Sequence, residues 1–187
     1  MHDATTPSQT IGPFFGVLSP LAGNELVGAD TPGAILIEGT VFDGAGEPVT
    51  DALVEIWEAN PAGHYAHPDD RGYDPNEALG FTGFGQCHTD GEGRFSFLTL
   101  KPGPVPGWDE RMQAPHVSVS IFARGLLRRL TTRIYFPDEG HANDRDPVLE
   151  SVEWPFRDLL VAEPAGPGRL RFDIRLQGER ETPFFAV

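Results

Sequence analysis

An all-β fold, a β-sandwich core with an extended N-terminal arm and long loops, is what this sequence predicts. Three observations carry that reading. Short runs of alternating apolar and polar residues recur along the chain. The 22 glycines and 18 prolines fall between those runs instead of gathering in one linker. No stretch carries the apolar periodicity of a long helix, and no internal repeat is found. At 187 residues the chain is read as a single domain, 1–187, large enough to remove roughly 70% of its unfolded surface from water.

Residues 1–20 have no usable period, and Pro7, Pro13 and Pro20 keep the backbone extended and short of ladder donors. Adjacent Phe14 and Phe15 would leave a large apolar surface in water if the segment were free, so it is expected to be an arm docked on something. Residues 34–43 and 51–59 are predicted strands, with DGAGEPVTD closing the corner between them. Residues 60–80 form a loop much longer than a hairpin needs, the kind of segment that carries function on a rigid scaffold. Strands are expected at 81–89 and 94–100 around Asp90-Gly91-Glu92-Gly93, and a short helical turn near 147–152. The last strand is 170–177, with Leu170, Phe172, Ile174 and Leu176 on its core face.

The hairpin at 116–136 is the candidate site. Val117, Val119, Ile121 and Ala123 alternate with His116, Ser118, Ser120 and Phe122, and Arg124-Gly125 supplies the turn. In the returning strand, from 127 to 136, Leu130, Thr132, Ile134 and Phe136 share the core face and leave Arg129, Thr131, Arg133 and Tyr135 opposite. His116, Ser118, Ser120, Arg129, Arg133 and Tyr135 are therefore expected on one polar face.

Composition excludes several classes. With 14 basic against 28 acidic residues, a net charge of −14, the chain lacks the basic stripe that nucleic acid requires. Cys87 alone cannot form an internal disulfide, no secretory leader opens the chain, and no apolar run approaches a membrane span. A cytoplasmic protein is expected. Cys87 itself reads as a small hydrophobe in a strand.

The chemistry-bearing residues each admit two readings. His64 and His67 have helical ligand spacing, but Pro61, Gly63 and Pro68 forbid the helix. Tyr65 between them is either packing or a hard anionic ligand for ferric iron. His116 opens a strand, where a His-X-His pair would place both rings on one face, but the second place is Ser118. Arg124, Arg128, Arg129 and Arg133 form either a solvated edge or a local positive potential for a carboxylate.

TPSQTIGPFF, GTVFDGAGEPVTDALVEIWEANPAGHYAH, FTGFGQCHTDGEGRFSFLTLKPGPVPG, APHVSVSIFARGLLRRLTTRIYF and FDIRLQGERETPFF together resemble the intradiol ring-cleavage dioxygenases, in order and over nearly the whole chain. The resemblance implies a β-sandwich core. In iron-bearing members of that family Fe(III) is held by two tyrosines and a His-X-His. Tyr65 stands at the first of those positions, Val105 at the second, His116 at the third and Ser118 at the fourth. A valine has no ligand atom and a serine is a poor one, so the resemblance implies a degenerate site and no iron in this chain. Gln113 and Arg133 depart from the family pattern as well, which has Arg and Gln at those places.

The resemblance further implies a role. Two-chain members pair an iron-free α chain with a homologous iron-bearing β chain in an (αβ)n hetero-oligomer, with the working pocket at their shared surface. Thr10, Gly12 and Pro13 of the arm would then border the ring of a small aromatic substrate that reacts with O2, and Arg133 would either hold its carboxylate or neutralise the old cavity without touching substrate. Gly12 suits such a place because backbone can approach a ligand closely there. The rival expectations are a metalloenzyme using His64, His67, His116 and Tyr65, and a stand-alone β-sandwich binding module.

Overall fold

The computed structural model describes residues 22–107 and 111–186, so the arm expected at 1–20 lies outside the described residues. Eleven strands are described, arranged mainly as two facing sheets. β1 (Ala34–Phe42), β4 (Arg94–Leu100), β9 (Glu163–Gly166), β10 (Arg169–Arg171) and β11 (Ile174–Arg175) form one. β2 (Leu53–Glu58), β3 (Phe84–His88), β7 (His116–Phe122) and β8 (Leu130–Tyr135) form the other, in the order β3-β2-β7-β8. A short ribbon of β5 (Val105–Pro106) and β6 (Met112–Gln113) lies beside them.

The core between the sheets is built from the faces that the alternation picks out. Val54 and Ile56 of β2, Phe95 and Phe97 of β4, Val117, Val119 and Ile121 of β7, and Ile134 of β8 join Ile37, Val41, Phe172 and Ile174 in one buried cluster. Each fully buried side chain of this size stabilises the fold by roughly 1.5–3 kcal/mol relative to leaving it in water. Thr132, expected on the same face, is buried and donates its hydroxyl to the Pro183 carbonyl at 2.8 Å.

All seven expected strands are present, with corrections at the edges. The strand expected from 81 starts at Phe84, and the one expected from 127 starts at Leu130, because residues 124–129 are taken up by the turn around Gly125. The last strand is split at Phe172-Asp173, where the Asp173 carboxylate accepts the Thr40 N–H at 3.0 Å in place of a ladder carbonyl. Its two halves pair parallel to β1. Parallel pairing between the first and last strands is a crossover that local periodicity cannot reveal. At this junction a Cβ on Gly39 would fall 1.8 Å from the Phe172 carbonyl oxygen, so only glycine permits the approach.

The 60–80 loop includes a short helix, α1 (Pro75–Gly80). Two more, α2 (Gly140–Asn143) and α3 (Pro147–Glu150), follow β8. α3 confirms the helical turn expected there and brings Asp146, its capping residue, against the end of the hairpin. Among the described residues no helix is long and apolar enough to cross a membrane.

Candidate functional site

Register builds the site across the outer face of the β3-β2-β7-β8 sheet. His116 lies opposite Tyr135 and Ser118 opposite Arg133, while Trp57 of β2 lies opposite Ser118 on its other side. In the ribbon, Val105 lies opposite Gln113. Gln113 joins the two layers, since its Oε1 accepts a hydrogen bond from Arg133 Nη1 at 2.6 Å. Tyr65 reaches the same place from the long loop, its ring stacked on Trp57 with centroids 5.9 Å apart and planes 1° from parallel. The structure therefore gathers Tyr65, Val105, His116, Ser118 and Arg133 around one region, although they span nearly seventy positions of sequence. Thr10, Gly12 and Pro13 lie outside the described residues.

The loop that presents Tyr65 is held by side chains acting as backbone acceptors. Asn60 Oδ1 accepts the N–H of Ala62 at 2.9 Å and of His64 at 3.0 Å. Asp70 accepts the N–H of Tyr65 at 2.9 Å and of Gly72 at 2.7 Å. His64 turns its Nδ1 to Asp70 at 3.2 Å, and His67 is exposed. Neither is directed at His116, and among the described residues no group of three or more His, Cys, Asp or Glu could hold a metal. The ligand set His64, His67, His116 and Tyr65 is thus not assembled.

One end of the polar face is closed to water. His116 and Tyr135 are 3% and 0% exposed, where alternation alone leads one to expect solvent on that side. Their rings tilt together at 5.8 Å, covered by the segment carrying Leu149 and Leu160, which form a second small core with Tyr135 and Ala114. His116 Nδ1 meets the Ala114 carbonyl at 2.7 Å. A carbonyl only accepts, so the proton is on Nδ1 and the lone pair on Nε2. Burial, aided by the Arg133 charge, pushes His116 down to about 4, so the ring is neutral. Burial raises the Tyr65 phenol above its ordinary value, opposed by the same guanidinium.

Asp146 is the member that sequence reasoning missed. It is 0% exposed and accepts from the Ala114 N–H at 2.7 Å, the Tyr135 hydroxyl at 3.1 Å, and the Val148 and Leu149 amides at 2.8 and 2.9 Å. Tyr135 in turn accepts from Arg133 Nη1 at 3.4 Å. A hydrogen-bonded chain thus runs from a buried carboxylate through a phenol to the guanidinium. The Asp-Pro pair at 146–147 was its only local signal, a helix cap followed by proline.

Chemically, the donor set does not fit a ferric ion. Val105 is 3% exposed and offers hydrocarbon, Ser118 offers a neutral hydroxyl, and the group facing Ser118 is a permanent cation. Of the four positions only Tyr65 and the Nε2 of His116 can donate. A cavity of about 210 Å³ on this face is lined by Glu55, Trp57, Phe84, Ser118, Ser120 and Arg129. Arg124 is paired with Asp51 at 3.2 Å, and Arg128 is exposed. The four arginines therefore divide between solvent and site. Cys87 is partly buried against the core, and burial raises its thiol above the ordinary value.

A dioxygenase family model matches residues 11–178. The chain is 42% identical over 199 residues to the protocatechuate 3,4-dioxygenase alpha chain of Burkholderia cepacia, covering 97% of both. It is also 38% identical to the beta chain from that organism, over 80% of this chain and 66% of the relative. Among solved structures, the dioxygenase domain of a dioxygenase carbohydrate-binding protein fusion from Streptomyces sp. SirexAA-E superposes with a TM-score of 0.56 at 30% identity, covering 91% of this chain and 97% of that one.

Proposed function

This chain belongs to the dioxygenase family whose model it matches, and from that premise we propose that it is the iron-free α subunit of a protocatechuate 3,4-dioxygenase. The reaction is intradiol cleavage of 3,4-dihydroxybenzoate by O2 to 3-carboxy-cis,cis-muconate, a step of aromatic catabolism in the cytoplasm. The full-length likeness to an alpha chain and the weaker likeness to a beta chain support a heteromeric assembly of two homologous subunits. Intradiol dioxygenases depend on iron. In this reading the Fe(III) is held by the β subunit, because here the four ligand positions are Tyr65, Val105, His116 and Ser118. The observation that carries the reading is that substitution: hydrocarbon at Val105, and at Ser118 a hydroxyl facing the Arg133 cation.

The chain contributes wall and charge. Thr10, Gly12 and Pro13 of the arm border the substrate ring in the partner's pocket, and the arm's Phe14 and Phe15 gain a surface to bury against. Arg133 supplies the carboxylate contact, with Nη1 tied to Gln113 and Tyr135 and its remaining nitrogens forming the fork that suits a carboxylate. Holding the ring in one orientation in a water-poor pocket is the catalytic contribution available to a subunit without metal. The test is Arg133→Ala in the assembled enzyme. KM for 3,4-dihydroxybenzoate should rise roughly tenfold more than KM for catechol, the worth of one charge-assisted contact. Equal effects on both substrates would remove Arg133 from carboxylate binding.

A further inference from the structure

Among the described residues, Arg133 is the only cationic side chain that the register brings face to face with the retired ligand positions. It lies directly opposite Ser118. Through the 2.6 Å bond to Gln113 it is also one contact from Val105, which lies opposite Gln113 in the ribbon. We propose that Arg133 excludes metal from this chain: its guanidinium occupies the retired pocket as a fixed cation, so that restoring the two missing ligands alone does not rebuild an iron site. The inference rests on the reading of Val105 and Ser118 as lost ligand positions.

Three observations carry it. First, the guanidinium is tethered. Nη1 donates to Gln113 Oε1 at 2.6 Å and to the Tyr135 hydroxyl at 3.4 Å, and Tyr135 donates to Asp146 Oδ1 at 3.1 Å. Asp146 and Tyr135 are both 0% exposed, so the tether ends in a rigid, buried anchor. Second, the guanidinium is placed at the two positions that have lost their donors. Arg133 pairs with Ser118 in the β7–β8 register, and the Gln113 that accepts its Nη1 pairs with Val105 in the ribbon. Third, the cation cannot be titrated away. A lysine could lose its proton to admit a metal, whereas arginine stays charged at any accessible pH. A triply charged ion seated beside it would meet an uncompensated repulsion in a partly buried site.

The experiment counts iron in the complex with the iron-bearing partner. Wild type and the Val105→Tyr/Ser118→His variant should each carry about one iron per pair of chains, whereas adding Arg133→Gln should raise this towards about two. Arg133→Met in the same background should do likewise, since it removes charge but keeps a long side chain. Co-elution with the partner chain checks assembly of each variant. Two irons in the Val105→Tyr/Ser118→His complex would overturn the proposal. So would a single iron in both assembled triple variants. A wild-type complex with no iron at all would instead sink the functional reading on which the proposal rests.

Discussion

The two faces of the β7–β8 hairpin follow different rules. Inward, Val117, Val119, Ile121 and Ile134 are held by volume, in hydrocarbon, between two sheets. Outward, Tyr135 and Arg133 are held by directed hydrogen bonds that end on Asp146 and Gln113, and His116 by one to the Ala114 carbonyl. The inward face is closed to water, and the outward one is closed where His116 and Tyr135 lie. A packed face tolerates exchange of similar volumes, because dispersion and burial are non-directional. A buried polar network tolerates little, because each lost partner leaves another group unsatisfied. The outer face therefore keeps a defined architecture with valine at position 105 and serine at position 118.

The largest expected effect tests the outer face at its hub. Asp146→Ala removes the acceptor for four donors at once and should destabilise by about 4 kcal/mol, read as a shift in the thermal unfolding of the assembled protein at fixed concentration. Ile121→Ala on the inward face should cost about 3 kcal/mol, the transfer and cavity terms of one buried isoleucine. If Asp146→Ala proved the milder of the two, the hydrogen-bonded face would not be the more exacting one.

A smaller effect sharpens the comparison, because the core into which the inward face packs also receives a carboxyl from β2. Glu58 is 1% exposed, accepts from the Thr99 hydroxyl of the opposite sheet, and has a second oxygen, Oε2, buried without a partner. Burial pushes its pKa up to about 8 from an ordinary 4.5, against the lowering effect of the Thr99 hydrogen bond. The folded state thus keeps a proton that the unfolded chain releases. The stability that this proton lends is fully present below pH 4.5 and is lost as pH rises through 8, with a slope of up to about 1.4 kcal/mol per pH unit. Glu58→Gln should flatten that slope in unfolding curves measured across the window. An unchanged slope would mean that Glu58 is ionised in the fold.

Much of this was legible in the sequence, for physical reasons that differ by region. Strand faces follow from alternation, since a one-residue slip would turn Val119 and Ile121 to the wrong side. Alternation put His116, Ser118 and Arg133 on one face, phenol chemistry singled out Tyr65, the resemblance added Val105, and the fold brings the five together. What stayed hidden was non-local. The parallel return of β10 and β11 to β1 joins the two ends of the chain. The burial of His116 and Tyr135 depends on a segment that follows β8 and covers them. Asp146 read as a loop residue before proline, because nothing local announces that its carboxylate meets Ala114 and Tyr135.

Iron stoichiometry tests the central claim most directly. The chain produced with its β partner should yield a coloured complex with about one ferric ion per pair of chains, all of it bound to β once the subunits are separated. A tightly held ferric ion in this chain on its own, or ring cleavage without a partner, would contradict the account.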